Sequence, residues 1–240
     1  MTMLKAEEDL PIEAKMVTTA VEGSQKKVEA HNFDIRKHVL QYDDVINTQR
    51  EVIYRERRKI LGGEDISEAI LDMLNIHTEN AIYSYINPDT PPESWRDEAI
   101  PSLYKALISE IPQIGNSTSE ENLYSKDFEE IKNVLFDAAQ NAYNLKASEL
   151  GAENIKEAER QVMLHVIDNK WIEHLHNMDA LREGIHLRGY GQKDPLMEYK
   201  REAFDMFEQL LADVKRDTVI LLMHAHTETV SEIQEEGVEV

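Results

Sequence analysis

The feature of this sequence that most constrains its fold is residues 161–222, which have the pattern of two long amphipathic helices joined by a short loop. Apolar residues recur at steps of three and four, which places them on one face of each helix. In the first helix they are Val162, Met163, Val166, Ile167, Trp171, Leu175, Met178, Leu181 and Ile185. In the second they are Leu196, Tyr199, Ala203, Met206, Phe207, Leu210, Val214 and Leu221. The short loop predicts that the two helices lie antiparallel and bury these stripes against each other.

The connecting loop, residues 186–194, is suited to reversing the chain. Gly189 and Gly191 allow backbone angles that other residues resist, so the first helix can end here. Asp194 is predicted to cap the second helix, with Pro195 at its first helical position.

Tyr190 stands between the two loop glycines, at the predicted tip of the hairpin. One interpretation is a presented contact residue, with Arg188, Gln192 and Lys193 around it. The other is a tyrosine that docks on a neighbouring domain or lies at the surface without a role. The pattern alone leaves both open.

A second long helix is predicted over residues 14–61, where no helix-breaking residue precedes the Gly62-Gly63 pair apart from the tolerated Gly23. A helix of about 48 residues is roughly 70 Å long, which exceeds one ordinary domain. We therefore interpret it as a spine that carries several units. An alternative is a coiled-coil rod that forms a homodimer, although His31, His38 and Gln49 weaken its apolar seam. The basic residues at its end fit a solvated helix C-terminus: Arg50, Arg55, Arg57, Arg58 and Lys59.

The remaining segments complete an all-α fold. Residues 62–155 are predicted to form a small inserted helical lobe, interrupted by prolines between its helices. Residues 156–224 continue the scaffold into the hairpin. Residues 1–13 form a polar lead-in, and residues 225–240 form an acidic tail or linker.

Composition excludes several classes of protein. A net charge of −21 argues against general nucleic-acid binding. The absence of cysteine excludes disulfides and thiolate metal sites. No apolar run approaches the roughly 18 residues that span a bilayer, and the start of the chain lacks the apolar core of a secretory signal. These features predict a soluble, cytosolic protein.

The sequence offers no catalytic constellation. It has no P-loop, and Gly189-Tyr190-Gly191 follows no strand, so it is not a dinucleotide site. His31 and His38 share a helix face but lack a third ligand. Asp43 and Asp44 diverge by about 100° on a helix, so they do not form a shared-proton pair. We therefore expect this chain to bind no cofactor or metal and not to be an enzyme by itself.

Two long motifs carry a resemblance to the SecA family of bacterial protein-translocase motors. Residues 28–37 (VEAHNFDIRK) and 40–45 (LQYDDV) resemble the start of that family's helical scaffold domain. Residues 184–195 (GIHLRGYGQKDP), with 198–202 (EYKRE), are similar to its two-helix finger. The segment between them matches the family's helical wing domain mainly by position and length.

The resemblance implies a fragment of an ATPase, whose nucleotide-binding domains, with ATP and Mg, lie outside this chain. In the family the scaffold helix relays movement of those domains, a role that would fall to Arg36, Asp43, Asp44 and Trp171. The finger enters the SecY channel and contacts the unfolded preprotein, which implicates Tyr190, Arg188, Gln192 and Lys193. In the family the hairpin region is also regarded as a restraint on the ATPase activity.

Further expectations follow from the resemblance. They are a peripheral location at the inner face of the plasma membrane and contact between basic residues and anionic phospholipid. Trp171, at a stripe position, is expected to be a core residue that anchors the hairpin to the long helix. A regulatory binding module that acts on a separate ATPase is the remaining alternative.

Overall fold

The computed structural model describes residues 15–185 and 194–225, which form helices and their connections without a strand. The α-helices are α1 (Lys15–Leu61), α2 (Ser67–Tyr85), α3 (Ala99–Glu110), α4 (Phe128–Leu150), α5 (Ala152–Gly184) and α6 (Pro195–His224). Three short 3₁₀ helices, Pro92–Trp95, Pro112–Asn116 and Glu120–Asn122, lie in the connections between α2 and α4. The predicted all-α class is confirmed.

Helices α5 and α6 form the predicted antiparallel hairpin. Lys170 pairs with Asp217 at 3.0 Å near one end, while Met178 packs with Tyr199 near the other. Asp194 accepts a 2.9 Å hydrogen bond from the backbone N–H of Leu196 and so caps α6 as predicted. The stripes are buried largely as expected, except that Leu221 is exposed.

The exposure of Leu221 corrects one position of the predicted stripe. Beyond Val214 the buried line of α6 continues in steps of four, through Thr218 to Leu222. The sequence pattern of three- and four-residue steps predicted that Leu221 is buried, because it lies seven residues after Val214. The last turns of α6 instead bury several sides, since they enter the lobe.

Helix α1 packs along both hairpin helices through its second half only. Gln49, Ile53 and Ile60 are buried there, and the seam positions Tyr42 and Val45 are partly buried. Residues 18–40 are exposed around the whole helix. The long helix therefore extends well beyond the body formed by the rest of the described chain.

The lobe joins the other helices at two glycines with positive φ. Gly63 (φ 78°) lies between α1 and α2, and Gly151 (φ 87°) lies between α4 and α5. This conformation disfavours any side chain with a Cβ. The predicted boundary at residue 155 falls inside the first turn of α5, because Gly151 is the only residue that separates α4 from α5.

The lobe and the nearby ends of α1, α5 and α6 share one hydrophobic core. Two side chains of the lobe hold the end of α6 by its last carbonyl groups. Gln113 donates a 3.0 Å hydrogen bond to the carbonyl of Met223, and the buried Lys146 donates one of 3.0 Å to that of Ala225. These bonds satisfy acceptors that a helix end leaves free. The base of the hairpin is therefore fixed in the lobe.

Candidate functional site at the junction of the long helix and the hairpin

The predicted contact residues at the hairpin tip, Tyr190, Arg188, Gln192 and Lys193, lie outside the described residues. The structure describes the stem on which they are carried. Immediately below the loop, the stem buries a small group of residues, Met178, Ile185, Tyr199 and Ala203. The helices on either side of residues 186–193 are thus packed against each other.

The four residues implicated in coupling occupy different environments. Arg36 lies in the exposed first half of α1, and no ion pair joins it to another residue of the described ranges. Asp44 is also exposed, while Asp43 is partly buried. The two aspartates therefore face different ways, as helical geometry predicts.

Asp43 is the coupling candidate that contacts the hairpin through its charge. Its carboxylate lies 3.8 Å from Arg182 of α5, and Arg182 also pairs with Asp179 at 3.2 Å. Both members of the first pair are about half exposed, so solvent screens the attraction and the pair contributes little stability. Next to it, the rings of Tyr42 and Tyr199 lie 4.7 Å apart, which joins α1 to α6.

Trp171 is buried in the main core, as expected for a stripe position. Its ring stacks on the imidazole of His174, with 5.5 Å between the ring centroids. His174 in turn makes a 2.9 Å hydrogen bond to Gln49 of α1. Through His174, Trp171 connects the hairpin to the long helix.

Gln49 was interpreted from the sequence as a weak position in the seam, and the structure gives it a specific role. Its amide nitrogen donates a 2.9 Å hydrogen bond to the backbone carbonyl of Ala203 in α6. Its amide oxygen pairs with His174 in α5. One buried side chain of α1 therefore bonds both helices of the hairpin. Burial lowers the pKa of His174, which favours the neutral imidazole.

A second connection was missed by sequence reasoning, which grouped Arg57 with a solvated basic face. The Arg57 guanidinium makes two hydrogen bonds to Asp168 of α5, at 2.9 and 3.1 Å. These bonds raise the pKa of Arg57 further. The paired geometry is specific to arginine and carboxylate. The chemistry was visible in the sequence, but the partner 111 residues away was not.

A groove of about 450 Å³ separates α1 from α5 beside Asp43 and Arg182. Asn47 and Arg50 line its α1 side, and Arg50 bonds to Asn47 at 3.1 Å. The two helices are therefore less tightly joined here than at Arg57 and Asp168.

The described residues present no cluster of three or more histidine or acidic side chains that could hold a metal ion. Within the same ranges, no helix has the length and apolar character required to cross a membrane. The basic residues of the stem are partly neutralised, because Arg201 pairs with Glu198 at 3.1 Å. The junction joins three helices through buried packing and hydrogen bonds.

A long helix packed against a two-helix hairpin, with a helical lobe at its base, defines an all-α structural scaffold. Residues 11–226 match the family model described as SecA Wing and Scaffold domain. The chain belongs to this family, as its sequence motifs predicted.

Curated relatives agree with this assignment. The chain is 44% identical to the protein translocase subunit SecA of Pelotomaculum thermopropionicum, over 91% of this chain and 24% of that protein. It is 43% identical to that of Heliobacterium modesticaldum, over 90% of this chain and 25% of the relative. It is 42% identical to that of Synechocystis, over 92% of this chain and 24% of the relative. The chain therefore spans about a quarter of the length of these relatives.

Proposed function

We propose that this chain is the mechanical relay of an ATP-driven preprotein translocase. In this proposal α1 receives the movement of nucleotide-binding domains that belong to the same translocase. The hairpin carries that movement to a SecY-type channel and to the unfolded preprotein. The observation that carries the proposal is the junction, where one helix is bonded to both helices of the hairpin through Gln49.

The exposed first half of α1 is the proposed surface for the nucleotide-binding domains. It carries large apolar side chains that are about half or more exposed: Val21, Val28, Phe33, Ile35, Val39 and Leu40. Apolar surface of this extent is typical of a covered interface. Arg36 supplies a charge on the same stretch, and Asp44 supplies one just beyond it. The fully exposed length supports contact with a partner that is large compared with the lobe.

The hairpin is the proposed finger. Its base is fixed in the lobe by Gln113 and Lys146, and its stem is braced by α1. A stem held in this way at its base moves together with α1 and the lobe. Tyr190, with Arg188, Gln192 and Lys193, would then contact the channel and the moving polypeptide. An aromatic side chain suits varied sequences because it offers a large apolar surface.

The proposed region has no catalytic role of its own. ATP and Mg would bind in the nucleotide-binding domains, and this region would restrain their ATPase activity through the junction. Its place would be cytoplasmic, peripherally associated with the inner face of the plasma membrane. Exposed basic groups near the tip, such as Lys200, would meet anionic phospholipid.

Replacement of the tip residue tests this function. In a full-length translocase subunit that carries this region, Tyr190→Ala should lower preprotein transport into membrane vesicles while nucleotide binding stays unchanged. Tyr85→Ala, which removes an exposed tyrosine of the lobe, is the matched control and should transport normally. Normal transport by the Tyr190 variant would refute the role proposed for the tip.

The exposed apolar residues of α1 also favour a homodimer formed through this helix. Sedimentation velocity over a range of concentrations distinguishes the two. A rod-like dimer that persists at every concentration favours self-association, whereas a monomer favours a surface reserved for the nucleotide-binding domains.

A further inference from the structure

The packing of the hairpin against α1 is divided into two separate hydrophobic groups. The main core includes Ile53, Trp171 and Phe207, and it continues into the lobe. The second group is much smaller, and its fully buried members are Met178, Ile185, Tyr199 and Ala203. Around it pack partly buried side chains, among them Tyr42, Val45 and Ile46 of α1.

A polar layer lies at the boundary between these two groups, and it consists of side chains of α1 and α5 and the backbone carbonyl of Ala203 in α6. Along α1, Gln49 falls between Ile46 of the small group and Ile53 of the main core. Along α5, His174 falls between Trp171 and Met178 in the same way. Gln49 and His174 are 6% and 4% exposed, so both side chains depend on each other and on the Ala203 carbonyl for hydrogen bonds.

The hydrogen bonds of the layer determine which atom of each group donates and which accepts. The Ala203 carbonyl can only accept, so the NH₂ of the Gln49 amide faces α6. The amide oxygen of Gln49 therefore faces His174, whose Nε2 must carry the proton and donate. A shift of the hairpin along α1 would leave all of these groups buried and unpaired. Buried polar layers of this kind specify the register of packed helices.

Contacts on the two sides of the layer differ in strength. Towards the lobe, the hairpin has the main core and the two hydrogen bonds between Arg57 and Asp168. Towards the tip, the described residues give it the small apolar group, the contact between the Tyr42 and Tyr199 rings, the exposed Asp43–Arg182 pair and an open groove beside that pair. Among the described residues, the part of the hairpin beyond the layer is therefore attached to α1 through a smaller apolar contact and a solvent-screened ion pair.

We propose that the Gln49–His174–Ala203 layer is a pivot, beyond which the distal stem of the hairpin (residues 175–185 and 194–202) separates from α1 as one unit. The proximal stem (residues 152–171 and 207–225) stays packed on α1 and the lobe. Gln49 acts as a positioning residue, because it returns the distal stem to a single register. Only the use that a translocase would make of this movement rests on the proposed function. The movement itself is tested without a transport assay.

Hydrogen exchange of the whole 240-residue chain, followed by mass spectrometry, tests the pivot. In the unmodified protein, the backbone amides of the distal stem should exchange when that stem alone opens, at least about tenfold faster than those of the proximal stem. Gln49→Leu should accelerate the distal stem by about a further tenfold, because it leaves buried polar groups unpaired. It should leave the proximal stem unchanged.

Gln161→Leu is the matched control. Gln161 is a partly buried glutamine of the proximal stem whose hydrogen bond goes to Glu157 in its own helix. This variant should not change exchange in the distal stem. If both stems of the unmodified protein exchange at one common rate, or if Gln49→Leu accelerates both equally, the proposal is overturned.

Two further measurements do not depend on the folding of Gln49→Leu. Nitrogen NMR of the His174 ring should show the proton on Nε2. A proton on Nδ1 alone would refute this assignment of donors and acceptors. The chain has no cysteine, so Asp43→Cys with Arg182→Cys introduces a single pair at two half-exposed facing positions of the distal contact. Linking this pair with a bifunctional maleimide should slow exchange of the distal stem to the proximal rate, and unchanged exchange in the cross-linked protein would overturn the proposal.

Discussion

The phenol of Tyr143 in α4 donates a 2.6 Å hydrogen bond to the carboxylate of Glu159 in α5, which is buried at 1% exposure. Ser67, at the start of α2, donates to the other carboxylate oxygen at 2.9 Å. One acidic side chain thus joins three helices where the lobe meets the scaffold. Burial is the main cause that raises the pKa of Glu159, and these two hydrogen bonds oppose it.

The raised pKa of Glu159 makes stability depend on pH in a defined direction. The unfolded state loses its proton near the usual value of 4.5, before the folded state does. The contribution to the free energy of unfolding is therefore complete below that value and is lost as the pH rises through the folded pKa. Urea unfolding between pH 4 and 8 gives the free energy of unfolding of the unmodified chain and of Glu159→Gln. The advantage of the unmodified chain in this free energy should shrink or reverse as the pH rises. A difference that is constant with pH would contradict this.

Glu159→Ala tests the hydrogen bonds of the same carboxylate. It leaves the hydroxyl groups of Tyr143 and Ser67 without their acceptor in a buried place. The expected loss is about 1–3 kcal/mol in the free energy of unfolding, measured with urea at neutral pH. The exposed Glu153 of α5, changed to alanine, is the control and should have little effect. A loss as small as that of the control would show that water replaces the acceptor.

Asp65, at the same joint, should have the opposite dependence on pH. Its hydrogen bond to Lys156 at 2.6 Å and those from Ser67 lower the pKa of Asp65 to about 2. A lowered pKa means that the contribution to stability is present above the usual value and is lost as the pH falls through the folded value. The free energy of unfolding of Asp65→Asn should be compared with that of the unmodified chain between pH 5 and 2. The difference between these two free energies should disappear in acid. Lys156→Met should remove most of the same pH dependence.

The regular parts of this fold could be predicted from the sequence because they are periodic. The hairpin stripes and the cap at Asp194 follow from spacing and from local chemistry. The exposure of Leu221 could not be predicted, because it depends on how the lobe surrounds the end of α6. Glu159 was also missed, since a glutamate near the start of an amphipathic helix has the pattern of a surface residue.

The junction was predicted only in part, for a similar reason. Trp171 was placed correctly in the core, and Asp43 faces the hairpin. Gln49 and Arg57 were interpreted as weak or solvated positions, because their partners lie more than 100 residues away in sequence. A polar residue in a seam reveals its partner only when the register of the helices is known. The tip residues, Tyr190 above all, stay a prediction.

His77 gives a further dependence on pH, in the lobe. Its Nε2 lies 3.0 Å from a carboxylate oxygen of Glu110, and Arg216 and Asp217 of α6 are nearby charges. Burial is the largest influence and lowers the pKa of His77, while Glu110 opposes it. The folded state resists protonation, so the free energy of unfolding falls as the pH drops below the usual value of 6.5. Unfolding of His77→Gln should show a weaker fall between pH 7.5 and 5.5, and an equal fall would refute this.

The Arg57–Asp168 pair should contribute measurable coupling between α1 and α5. Its two short hydrogen bonds give good geometry, but both side chains are more than a third exposed, so solvent screening reduces their value. A double-mutant cycle of Arg57→Ala and Asp168→Ala should give a coupling of about 0.5–1 kcal/mol in the free energy of unfolding. The adjacent Arg55–Glu56 pair, with its single 3.6 Å contact between neighbouring residues, is the control and should give a coupling near zero. If the two cycles give equal values, the bidentate contact adds nothing to the brace between the long helix and the hairpin.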